Sequence, residues 1–299
     1  MKHALIALAV LCLPALSVRA EPVDLILVSG QSNAVGFCAN PSEVFLEPND
    51  KNILFWWRCG DPPADAHDST SGDKWTHLQP QPRGNPLRGN NPPRQYGNFM
   101  WPDGGFGPEI GFARTLYAAE NKAGQPVKRI AVLKVAFSGT GMRTDWNPAD
   151  PGEGGACYRA LVSEAKAAAT AARAQGVTFR VRALVWVQGE SDATEADAPN
   201  YEKALAAMLA ALRKDLNSPR MIALVGINAQ FGGGKNAFMP KIIEAQKALG
   251  KKDPRCAYVD TAGLGIVDAA HFNTAGTLGM GKRFAETLQK LEGQTAVRK

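Results

Sequence analysis

The chain has 299 residues, with 34 Lys and Arg against 28 Asp and Glu, and its formal charge of +6 is scattered without any basic run. That distribution argues against a nucleic-acid partner, and the length suits one large domain with a well-covered core. The longest apolar run, at 4–16, is too short to span a bilayer, so no membrane partner is expected.

The chain starts with Lys2 and His3, passes through that apolar run and reaches Val18-Arg19-Ala20 before Glu21-Pro22. This is the pattern of a secretory signal peptide cut after Ala20. Cleavage takes away Lys2 and Arg19, so +6 becomes +4, and a soluble product that is secreted or periplasmic is expected. Residues 21–299 are then read as a single domain with a loop-rich insertion at 37–105. Four cysteines remain in it: Cys38, Cys59, Cys157 and Cys256. Export permits disulfides among them. Cys38 and Cys59 flank the start of the insertion and are predicted to pair. Their spacing fits no zinc site of CxxC type.

Residues 23–28 are apolar and rich in Val, Ile and Leu, the pattern of a strand buried on both faces. They run into Ser29-Gly30-Gln31-Ser32-Asn33, where a turn delivers a serine with an amide on either side. The stretch 37–105 breaks this regularity, holds much of the Pro, Gly and Asn, and carries Trp56, Trp57, Trp75 and Trp101. Loops of such length in compact domains are usually functional or disordered. The tryptophans favour an ordered excursion, as the wall of a sugar site or as core. A helix is expected at 107–121, a strand at 129–137, and an Ala-rich helix at 158–175 stopped by Gly176. A strand at 181–187, a helix at 200–216 and a strand at 221–227 follow. A helix at 240–249, a strand at 256–259 and a helix at 273–291 complete the chain. Strands alternating with helices predict a three-layer α/β/α fold around a mostly parallel five-stranded sheet. Functional loops then belong at the carboxyl ends of the strands.

A serine at a strand end becomes a nucleophile only with a base and an oxyanion site nearby. Beyond residue 20 the histidines are His67 and His77, both in the excursion, and His271. His271 lies in GIVDAAHFNTAG, between the last strand and the last helix, three residues after Asp268. A D-x-x-H turn sets a carboxylate on one ring nitrogen and leaves the other facing outward, which fixes the tautomer and stabilises the imidazolium. An Asp near a helix start is also commonly a cap. Another apolar strand ends in Gln188-Gly189-Glu190-Ser191-Asp192. There Gln188 offers a side-chain N–H to an oxyanion and Glu190 accepts backbone hydrogen bonds. Alternatively, Ser191 or Asp192 caps the following helix. The strand at 129–137 leads to Gly139, whose backbone N–H is unobstructed. Nucleophile, base, orienting acid and oxyanion donors are what acyl transfer needs, with no cofactor and no metal. The G-x-S-x-G elbow of α/β-hydrolases is excluded because Ala34 holds its final position. There is also no H-E-x-x-H.

GQSN at 30–33, GPE at 107–109, GT to DW at 139–146, QGESD at 188–192 and DAAH at 268–271 span the mature chain. In this order they resemble the sialate O-acetylesterase and acetylxylan esterase-like branch of the SGNH hydrolases. The resemblance implies Ser32 as nucleophile, His271 as base and Asp268 as its partner. It puts Gly139, Gln188 and the Ser32 backbone N–H in the oxyanion hole, with Gln31, Asn33 and Glu190 in support. It departs at Ser138, where the family pattern has a second glycine. The implied activity is removal of O-acetyl groups from an acetylated carbohydrate through an acetyl-Ser32 intermediate. The short single domain is more like the acetylxylan esterases, and a sialate O-acetylesterase is the alternative. A non-catalytic glycan-binding protein on the same scaffold has no reason to retain Ser32, Asp268 and His271 together.

Overall fold

A computed structural model describes residues 21–60, 69–83, 99–121, 124 and 127–297. The predicted signal peptide and His67 lie outside them. Val23–Gly30 forms β1 and leads directly into the one-turn helix α1, Ser32–Val35. Three strands come from the excursion: β2 (Ile53–Gly60), β3 (Ser69–Thr70) and β4 (Thr76–His77). Next are α2 (Glu109–Glu120), β5 (Ile130–Phe137), α3 (Ala156–Ala174) and β6 (Phe179–Val187). The rest is α4 (Tyr201–Asp215), β7 (Ile222–Gly226), α5 (Met239–Lys252), β8 (Cys256–Tyr258) and α6 (Thr274–Val297).

The strands form one sheet in the order β3-β2-β5-β1-β6-β7-β8, with β4 also on β2. All five predicted strands are in it and run parallel. A sixth parallel strand, β2, pairs with β5 along its whole length. So the excursion is partly sheet, and β3 and β4 extend that edge antiparallel to β2. Along β1, Leu25 and Leu27 face one layer while Ile26 and Val28 face the other, the period-2 alternation of a pleated strand. Leu161 of α3, Leu205 of α4 and Ile242 of α5 cover the first face. Ile110 of α2 and Phe284 of α6 cover the second. From β1 the chain first builds the sheet toward β2 and β5, then returns to the other side through β6. The carboxyl end of β1 is therefore the switch point at which such sheets open a crevice.

β5 carries Lys134 in register with Ile130, Val132 and Ala136, so it points into the α2 layer. Its ammonium donates to Glu109 at 3.0 Å, to Gln81 at 2.6 Å and to the Val35 carbonyl at 2.7 Å. One buried cation thus joins β5, α1, α2 and the excursion.

One expectation about the excursion needs correction. The predicted Cys38–Cys59 disulfide is not formed; all four cysteines beyond Cys12 are buried thiols. The reason is β2: it commits Cys59 to the sheet opposite Ala136 and Ser69, while Cys38 Sγ sits 3.6 Å from Met100 Sδ. Of the two roles open to the tryptophans, the contacts seen are those of packing within the fold. Trp56 and Trp57 are buried and donate to Glu164 and Ser69. Trp75 donates to the Ala168 carbonyl and packs on Trp56, and Trp101 donates to the Cys38 carbonyl.

Candidate functional site

Gly30 ends β1 at φ +134°, and a Cβ there would lie 2.0 Å from the Val187 carbonyl oxygen. Glycine is needed both for that conformation and for the close approach to β6. The backbone turns at once, and Ser32 becomes the first residue of α1. Its Oγ lies 3.1 Å from Nε2 of His271, and Nδ1 of the same ring lies 2.9 Å from Oδ2 of Asp268. Oδ1 of Asp268 accepts the amides of Ala270 and His271 at 2.6 and 2.7 Å. The acid is occupied by its own turn and by the ring, not by capping α6. Burial raises its carboxyl, but the His271 bond, the Ala270 amide and the imidazole charge outweigh that and hold it below its usual value.

The neighbouring amides tie strand ends to the histidine loop. Asn33 Nδ2 donates to the Ala270 carbonyl at 3.0 Å and to Glu190 Oε1 at 2.9 Å, and its Oδ1 accepts the Phe272 amide at 3.1 Å. Gln31 Oε1 accepts the amides of Gly189 and Ser191, both at 3.3 Å. Glu190 Oε1 also accepts the amide of Asn228 at 3.0 Å. Burial lifts the Glu190 carboxyl above its ordinary range, against the pull of the Asn228 amide, its own amide and Asn33. Asn228, just beyond β7, returns to the Ala270 carbonyl through Nδ2 at 3.0 Å. Sequence reasoning passed over Asn228, although a polar residue just after an apolar strand is the signal that singled out Gln31 and Gln188.

Ser32, His271, Gln31, Glu190 and Gly139 border a cavity of about 310 Å³, together with Ser138, Phe37 and Phe231. Gly139 is exposed at φ +69°, and neither its amide nor that of Ser32 donates to any described residue. Phe37 leans on the His271 ring with centroids 5.0 Å apart. Ser138 has a buried Oγ with no partner among the described residues.

Gln188 is not brought to this cavity. It is fully buried, and its Nε2 donates to the Thr140 carbonyl at 3.0 Å and to Asp192. Asp192 in turn accepts the Met142 amide at 3.0 Å. Burial pushes the Asp192 carboxyl up to about 6, against the Gln188 and Met142 bonds. It does not cap α4, whose N-cap is Asn200. The QGESD turn therefore splits in two: Glu190 serves the histidine loop, while Gln188 and Asp192 pin the 139–146 loop. Of the other histidines, His77 lies on β4 opposite Leu54, toward the amino end of β2 and away from the cavity.

Comparison with known proteins gives the family and the fold. A profile of the family described as carbohydrate esterase, sialic acid-specific acetylesterase matches residues 22–290. No curated protein matches the chain in sequence. Among solved structures, a protein from Arabidopsis thaliana is similar at 21% identity and a TM-score of 0.62, over 90% of this chain and 99% of that one. NanS is similar at 17% identity and 0.58, over 91% and 98%. A carbohydrate acetylesterase from Xanthomonas citri is similar at 16% identity and 0.55, over 90% of this chain and 56% of that one. These likenesses establish the α/β/α fold, and the profile match establishes the chemistry class. The chain belongs to the carbohydrate esterase, sialic acid-specific acetylesterase family, and is an ester hydrolase of carbohydrates.

Proposed function

We propose that the chain is an exported serine esterase that removes acetyl groups from sugar hydroxyls, with acetylated xylan-type polysaccharides as its substrate. The observation that carries the serine mechanism is the line from Ser32 Oγ through His271 to Asp268, at 3.1 and 2.9 Å, on the edge of an open cavity. His271 takes the Ser32 proton through Nε2 as Oγ attacks the acetyl carbonyl, and Asp268 holds the charged ring. The Ser32 and Gly139 amides donate to the developing oxyanion. The imidazolium protonates the departing sugar oxygen, and water, activated by the same ring, releases acetate from Ser32. Phe37 and Phe231 give the cavity apolar sides suited to an acetyl methyl group.

A second reading, hydrolysis of acetylated sialosides, is favoured by the family description. Acetate release across acetylated xylan and acetylated sialosides separates the two, with Ser32→Ala as blank. Hydrolysis of p-nitrophenyl acetate that Ser32→Ala leaves intact would overturn the serine mechanism. Export rests on the pattern at 1–20, and the mature amino terminus, expected at Glu21, is read by mass spectrometry of the native protein.

A further inference from the structure

Three separate segments bring soft and hard metal ligands together behind the proposed base. Cys38 follows α1, Asp268 and His271 follow β8, and one ligand atom from each lies within 4.8 Å of the other two. Met100, from the excursion, adds a thioether 3.6 Å from the Cys38 sulfur, and it is 51% exposed, so the cluster borders solvent. We propose that Cys38, Asp268 and His271 bind a thiophilic divalent cation of the zinc type, and that its binding switches the esterase off.

The donor set suits such a cation. Thiolate, imidazole and carboxylate are zinc's ordinary ligands, with bonds of about 2.3 Å to sulfur and about 2.0–2.2 Å to nitrogen and oxygen. Tetrahedral angles then separate ligand atoms by about 3.4–3.6 Å, so the cluster closes by shifts of roughly an ångström. The ring nitrogen on the Asp268 side is Nδ1, 2.9 Å from Oδ2 across a proton. The cation takes that proton's place. A metal–sulfur bond forms as the Cys38 thiol proton goes to solvent, a metal–nitrogen bond forms at Nδ1, and Oδ2 completes the set. The neutral ring keeps one proton, which now sits on Nε2. Nε2 faces Ser32 Oγ at 3.1 Å. An imidazole with its proton there donates to the serine and cannot accept from it, so the nucleophile loses its base.

The inhibition rests on the serine-esterase reading, whereas binding does not, and the test separates them. Cobalt(II), as a coloured substitute for zinc, is titrated into the full chain and into Cys38→Ser and Cys38→Ala. A thiolate-to-cobalt charge-transfer band is expected in the unsubstituted protein and in Ser32→Ala, and is lost in both Cys38 variants. In chelator-free buffer, micromolar zinc chloride is expected to suppress p-nitrophenyl acetate hydrolysis without competing with substrate, and EDTA to restore it. The Cys38 variants keep basal turnover and need at least about tenfold more zinc. No charge-transfer band in the unsubstituted protein would overturn the site. Equal zinc sensitivity with and without Cys38, or no zinc inhibition at all, would overturn the switch.

Discussion

The side chain after Ser32 reaches two other segments: Asn33 bonds the Ala270 carbonyl and the Phe272 amide in the histidine loop, and Glu190 in the turn after β6. It makes no contact with the reacting atoms, yet it holds the histidine loop against the helix that carries the nucleophile. Asn33→Ala is expected to lower kcat by about a hundredfold, because a displacement of roughly an ångström at the base costs that much. KM should barely change, since the cavity walls stay in place. Steady-state kinetics beside a thermal scan checks this, and a fall in KM-dependent binding with normal kcat would speak against it. The reacting pair behaves differently. Ser32→Ala and His271→Ala should each lose at least roughly a thousandfold, and the double variant should be little worse than either alone. Multiplicative losses would mean that the two side chains act independently, against the 3.1 Å contact between them.

At the scale of elements, parity along β6 decides what Gln188 does. Leu184 and Trp186 face the α3–α5 layer, and Val185 and Val187 the other. Gln188 continues the parity of Leu184 and Trp186 and turns away from the cavity toward Thr140 and Asp192. Gln188→Ala is therefore expected to lower stability by about 1–3 kcal/mol, the cost of leaving buried partners unsatisfied. Turnover should fall by less than about tenfold, where a direct oxyanion donor would cost about a hundred- to a thousandfold. A thermal scan and kcat on one preparation distinguish the two outcomes. The same parity explains what the sequence made legible. Strand ends carrying Ser32, Gly139 and the Asp268/His271 turn could be found because apolar runs stop abruptly there. Which face each end presents depends on the neighbouring layer, which no single run records, so the direction of Gln188 was misjudged. β2 escaped notice although Ile53–Gly60 is largely apolar, because Pro- and Gly-rich sequence surrounds it and only the one-turn helix α1 and two short 3-10 turns, rather than a long amphipathic helix, separate it from β1. The cysteine pairing failed for the same reason, since β2 takes Cys59 into the sheet.

Across the whole molecule, buried charge joins the site to the scaffold and shapes the response to pH. Lys134 and Glu109 are both fully buried, so Lys134→Met leaves a carboxylate in the core without its counter-charge. A loss of about 3–5 kcal/mol is expected in chemical denaturation, most of it recovered in Lys134→Met/Glu109→Gln. Asp192 gives the opposite kind of signature. Its carboxyl titrates near 6 in the folded protein, against an ordinary value of 3.8. Between those values the folded chain holds a proton that the unfolded chain has released. Stability from this group is therefore highest below the ordinary value and declines as pH rises toward 6, with a limiting slope of about 1.4 kcal/mol per pH unit. Above about 6 both states are ionised and the decline ends. Asp268 works in the other direction, because its lowered carboxyl contributes stability that is lost only below its ordinary range. The two groups thus act in different windows. Urea midpoints measured from pH 4 to 7 for the unsubstituted chain and for Asp192→Asn should differ in slope below pH 6 and run parallel above it. Equal slopes throughout would show that Asp192 is ionised in the fold across the whole range, and that the Gln188 and Met142 bonds outweigh its burial.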